Sequence, residues 1–159
     1  MRAFLLTALL LVTTMSIIVW IAMNTNGTNE PHATIDCDKN NDSISKSHQE
    51  YLLQHGWHIK SSCGAIKQVI EYYPERIQSL QSAGLNLEPY NHKGIEANII
   101  TYLLKEKQQT GDKLTATIVE IDGELVGGYG GLENWIPGIF NLSEKNRLVE
   151  EGIIESNSF

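Results

Sequence analysis

Basic charge is scarce in this chain. Twelve Lys and Arg stand against 19 Asp and Glu, and no two basic residues are adjacent. A protein that neutralises nucleic-acid phosphates or anionic headgroups needs clustered cations, so both are excluded as expected partners. Gly-Lys-Ser/Thr is absent, and so is H-E-x-x-H. The first absence removes a P-loop and the second a zinc-protease helix. Cysteine is nearly absent too, with Cys37 and Cys63 alone. These two are either two independent thiols or one bridge, which an oxidising compartment would allow; sequence does not settle the pairing.

One apolar run is conspicuous. Ala3 to Met23 holds 21 residues without a charge. As a helix rising about 1.5 Å per residue, it matches a hydrocarbon core roughly 30 Å thick. A secretory leader has a shorter apolar core and a small-x-small cleavage site. The exit here reads IAMNTNG, so the run is expected to be an uncleaved signal anchor over residues 1–23, with partner contacts to the membrane through residues 3–23. Arg2 precedes the span, while Glu30 and Asp36 are the first charges after it, which keeps the amino terminus cytoplasmic and the remainder outside. Without Arg2, 11 basic residues face 19 acidic ones, a net −8 for the exported part.

Residues 24–46 are rich in Asn, Asp, Ser and Thr and read as a polar juxtamembrane linker. The run Asp36 to Asp42 imitates the front of a calcium loop, but Asn41 stands at the glycine position and Ser47 at the closing glutamate. No metal site is expected there. Asn-x-Ser/Thr sequons begin at Asn26, Asn41 and Asn141, and matter only in a glycosylating pathway.

Residues 47–159 are expected to form one extracytoplasmic α+β domain, a small antiparallel sheet with two helices packed on one face. Ser47 to Glu50 has the form of a capping box, and Gly56 is placed to end that helix. Trp57 and Ile59 alternate as in a strand. Pro74 suits a first helical turn, with Tyr73, Ile77 and Leu80 on one face and Gly84 at the stop. Strands are expected at Ile95 to Leu103, through Leu114, Ala116 and Ile118, and at Glu124 onward. Asp122-Gly123 between the last two is a strong hairpin signal. Lys105 to Lys113 reads as a polar connection. The end, from Asn141, is either a capped helix or a turn and short strand.

Asp122 to Gly138 carries six of the thirteen glycines. A dinucleotide fingerprint started at Gly128 meets Gly130 and then fails at Glu133. Gly127 and Gly128 are therefore expected to serve structure, by a bulge or a close backbone approach. Tyr129, Gly130 and Trp135 are the expected contact residues, since large amphipathic rings beside small ones suit recognition. His55 and His58 straddle a helix stop and read as exposed turn residues. Cys63, Ser61 and Ser62 lack a motif that would place a base, and Glu120 with Asp122 reads as solvated hairpin charge. No catalytic residue and no cofactor is assigned.

YLLQHGWHI from Tyr51, GLNLEPYNHKG, TATIVEIDGELVGGYG and ENWIPGIFNL occur in that order. With Gly56-Trp57, Tyr90 to Gly94 (with an insertion) and Val126-Gly127-Gly128, the chain over about residues 47 to 140 resembles a family of short exported domains of unknown function from Bacillus-type Gram-positive bacteria. The resemblance implies an exported, membrane-proximal α+β domain and supplies no catalytic residue. The expected function is a non-enzymatic interaction module at the cell membrane, meeting an envelope protein or wall component. The alternatives are a small-ligand or sensor accessory domain and, third, a small hydrolase.

Overall fold

The computed structural model describes Cys37 and residues 44–156, which belong to one compact unit, Ile35–Phe159. The apolar run Ala3 to Met23 lies outside the described residues, as do the Asp36 to Asp42 acids and the sequons at Asn26 and Asn41. Among the described residues, no helix is long and apolar enough to cross a membrane.

The elements are α1 (Lys46–Gln54), β1 (Ile59–Val69), α2 (Pro74–Ser82), a 3-10 turn (Glu88–Tyr90), β2 (Glu96–Lys107), β3 (Lys113–Ile121), β4 (Glu124–Leu132), β5 (Ile139–Phe140), a second 3-10 turn (Leu142–Glu144) and α3 (Lys145–Glu150). The strands pair as an antiparallel meander in the order β1-β2-β3-β4-β5. The fold is a small α+β domain with three helices in its described part.

Each helix stops by the same device. After α1, Gly56 turns left-handed (φ 79°), its N–H donates to Leu53 O at 2.8 Å, and Trp57 N–H reaches back to Leu52 O at 2.9 Å. That paired bonding satisfies the last free carbonyls, and the flanking Leu52 and Trp57 then pack in one cluster. Gly84 after α2, and Gly152 after α3, repeat it with Leu80–Leu85 and Leu148–Ile153 bonds. The helix starts are less regular. The expected capping box at Ser47 does not form, because α1 begins two residues earlier: Ser45 is the N-cap, its hydroxyl lies 2.7 Å from that of Ser47, and Glu50 pairs instead with Lys46. Tyr73, expected on the buried face of α2, is its N-cap residue and is exposed.

The helices cover both faces of the sheet, not one. Side chains alternate across a strand, so neighbours in sequence point to opposite layers. On β3, Leu114, Ala116 and Ile118 pack with Leu52 of α1, Leu148 of α3 and Trp57. Val119 and Ile121 pack instead with Ile77 and Leu80 of α2, and with Ile70, Leu85, Leu87 and Ala97. Both layers of β3 are apolar enough to need cover, and two half-cores result. Trp57 is the centre of the first: it is fully buried, donates from Nε1 to Leu142 O at 2.7 Å, and lies 5.4 Å from the Phe140 ring.

A third small cluster joins Cys37, Cys63 and Leu103 on the α2 side. Cys37 and Cys63 are disulfide-bonded across a separation of 26 residues, a loop whose closure in the unfolded chain is worth about 3.5 kcal/mol. The bond fastens the incoming chain to β1, and Ser61 Oγ donates to Cys37 O at 3.3 Å.

Candidate functional site

The glycines of β4 lie inside the sheet. β4 pairs with β3 along its length, and Gly130 and Gly131 pair also with Phe140 and Ile139 of β5. A β-carbon on Gly130 would sit 2.1–2.5 Å from Phe140 ring atoms, and one on Gly128 would sit 2.6 Å from Thr117 O. Neither distance is tolerable, so these residues are glycine because neighbours occupy the space a side chain would fill. Between Gly127 and Leu125 the register slips by one residue, a bulge that leaves Val126 extra. Tyr129 is half-buried in the α2 layer, with the Arg76 guanidinium 5.9 Å from its ring centroid. Asp122 and Gly123, both at positive φ, make the two-residue hairpin turn.

Trp135 has a different setting. It lies in residues 133–138, which connect β4 to β5 and are closed at the base by Leu132 N–H to Gly138 O, 2.7 Å. Gly138 is needed at that closure, since a β-carbon there would fall 2.6 Å from Trp135 O. Buried Gln108 tightens the same base, its Nε2 donating to Lys113 O at 3.1 Å and Glu133 O at 3.0 Å. Glu133 Oε2 accepts from Lys113 N–H at 2.9 Å. Above this clamp, Ile136 is 100 % exposed and Trp135 48 %. No charged residue occurs from Asn134 to Leu142. The structure therefore separates the expected contact residues: Tyr129 and Gly130 are part of the packed sheet, and Trp135 stands at a tip with Ile136.

Two Glu–His pairs lie on the α1–α3 side. His48, almost fully buried, has Nδ1 2.7 Å from the Tyr102 hydroxyl and Nε2 2.8 Å from Glu120 Oε1; Asn98 Nδ2 donates to Glu120 Oε2 at 3.0 Å. Burial pushes the Tyr102 phenol up, a backbone hydrogen bond at Ser45 opposes this, and the Glu120 charge adds to the rise. In the second pair the carboxylate is the buried partner. Glu106 Oε1 accepts from Lys145 Nζ at 2.7 Å and meets His58 Nδ1 at 2.9 Å, while Oε2 accepts from His58 N–H at 3.2 Å. Burial alone would push the Glu106 carboxyl up, but the hydrogen bonds from Lys145 and His58 outweigh it and hold the group below its ordinary value. Lys145 also donates to Gly56 O and lies 4.8 Å over the Trp57 ring.

These pairs correct three expectations. Lys105 to Lys113 is not a polar connection: β2 runs to Lys107, and Glu106 and Gln108 are buried. Glu120 is not simply solvated, because His48 and Asn98 fix it. His58 is engaged by Glu106, whereas His55 Nδ1 bonds Tyr51 O, so the two histidines serve different partners. Cys63, being disulfide-bonded, has no thiol to act as a nucleophile. Among the described residues, no group of three or more His, Cys, Asp or Glu is placed to hold a metal ion.

The sheet also carries recesses. One of about 490 Å³ is lined by Lys67, Glu96, Asn98, Glu120 and Asp122; another of about 260 Å³ is lined by Cys37, Lys113, Thr115, Gly131, Leu132 and Glu133. Comparison with protein-family models, with curated proteins and with solved structures finds no match. Sequence reasoning missed Glu106, Lys145, Gln108 and Ile136. The alternation Leu104, Glu106, Gln108 on a strand is a signal that could have exposed the first and third.

Proposed function

We propose that the chain is a membrane-anchored, extracytoplasmic interaction module without catalytic activity, and that its contact element is the β4–β5 tip at Trp135 and Ile136. The observation carrying this reading is the tip's composition against its support. A fully exposed isoleucine and a half-exposed tryptophan stand on a base fixed by backbone and Gln108 hydrogen bonds. A rigid aromatic anchor loses little side-chain entropy on contact, and tryptophan is among the residues that dominate binding energies. The anchor at residues 3–23 and the outward orientation remain part of the proposal, on the sequence grounds given above.

Crosslinking of the tagged whole chain in its own membrane tests it. Wild type should give an adduct that Trp135→Ala and Ile136→Asp both lose while remaining folded. Tyr129→Ala should keep the adduct if it stays folded, since that ring belongs to the core. An adduct indifferent to both tip substitutions would remove the tip from the account.

One observation favours a second reading, a small-ligand accessory domain. The 490 Å³ recess contains a carboxylate, Glu120, immobilised by His48 and Asn98. Fixed polar groups beside a cavity are what orient a small ligand. Retention of a metabolite by wild type and its loss in Glu120→Gln would support that reading.

A further inference from the structure

We infer that the partner of the Trp135–Ile136 tip is the lipid interface of the membrane in which the chain is anchored. This rests on the anchor and tip readings proposed above. The disulfide determines where the domain is tethered. Met23 to Cys37 is 14 residues, at most about 50 Å fully extended, whereas the first helix at Lys46 could otherwise lie about 80 Å away. The tether point is on the tip's side of the domain. Cys37 lines the same 260 Å³ recess as Leu132 and Glu133, which form the base of the tip. A tether that leaves the domain at Cys37 keeps this end within reach of the bilayer.

The tip's chemistry suits an uncharged interface. Tryptophan is favoured at the headgroup level, where its ring meets both hydrocarbon and water. Ile136 supplies apolar surface with no packing partner to lose, since it is fully exposed. The nine residues 134–142 carry no charge that insertion would have to desolvate. The nearest acid, Glu133, is turned to Lys113 N–H. The protein's acidic balance disfavours anionic lipid, so the fitting surface is zwitterionic.

The test is fluorescence quenching of the full chain in phosphatidylcholine vesicles, with bromine on the acyl chains or without it. Trp20→Phe removes the tryptophan of the anchor segment and leaves Trp57, fully buried in the core, and Trp135. Brominated lipid should quench part of the Trp135 share of emission. The quenching should vanish in Trp20→Phe/Trp135→Phe and diminish in Trp20→Phe/Ile136→Asp, with Trp57 emission reporting that both remain folded. Protein that stays in the vesicles with Trp135 unquenched overturns the inference and leaves the anchor standing. Quenching unaffected by Ile136→Asp also overturns it, because the ring would then be meeting lipid without insertion of the tip. Protein that fails to remain with the vesicles overturns the anchor reading and this inference together.

Discussion

Residues 127–131 and 133–138 follow one another in the chain, and glycine and a large ring occur in both. Their settings are opposite. In the first stretch, Phe140 and the Thr117 carbonyl occupy the space where side chains would be, and Tyr129 is packed under α2. In the second, a hydrogen-bonded base leaves Trp135 half exposed and Ile136 fully exposed. The difference teaches that glycine clusters beside aromatics do not by themselves mark recognition. Within a paired strand they report crowding; at a closed turn they permit a tip. The comparison implies that substitutions in the first stretch cost stability, and that in the second stretch substitution of Ile136, which stands clear of the base, costs only contact.

The largest effect should come from the support beneath the strand. Glu106 holds Lys145, Lys145 lies over Trp57, Trp57 packs on Phe140, and Phe140 fills the space beside Gly130. Glu106→Gln leaves the partly buried Lys145 ammonium without its counter-charge, and should lower unfolding free energy by about 3 kcal/mol in denaturant titration, the lower end for a broken buried pair. Gly130→Ala is next. Its β-carbon forces Phe140 aside, an overpacking loss of about 1–3 kcal/mol by the same measurement. A neutral result for Gly130→Ala would show that the strand is not crowded and would break the comparison.

The pH dependence sharpens it. Because the Glu106 pKa is lower in the fold than its ordinary 4.5, the unfolded chain takes up the proton first on acidification. Its stabilisation is complete above about pH 4.5 and is lost as pH falls through the lower folded value. Wild type should therefore lose stability over that acid window, and Glu106→Gln should show a shallower slope there. The smallest effect belongs to the exposed end of the tip: Ile136→Asp should leave unfolding free energy within about 0.5 kcal/mol of wild type, and Trp135→Ala, whose ring is half covered, should cost more than that but less than Gly130→Ala.

Much of this fold is legible in the residues. Gly56, Gly84 and Asp122-Gly123 name their own helix stops and turn, because few other residues tolerate those backbone angles. Pro74 opens α2 as its fixed φ requires. The layering of the helices is not legible, since a β3 that reads Leu-Thr-Ala-Thr-Ile-Val presents apolar groups on both sides and does not say which helix covers which. Nor is the Glu106 network, because Glu, Lys and His look solvated until a strand continues through them and brings Lys145 back from 39 positions away. Trp135 draws attention from sequence alone. Ile136 does not, because an isolated isoleucine reads as core until the closure at Gly138 turns it outward.

The most direct measurement places a photocrosslinking side chain at position 136 in the whole chain, with a second protein labelled at Tyr73, which is also exposed (66 %) but lies at the start of α2. In native membranes, position 136 should yield an abundant adduct, whether to lipid or to protein, and position 73 should not. Equal yields from the two positions would contradict the claim that the β4–β5 tip is the contact surface.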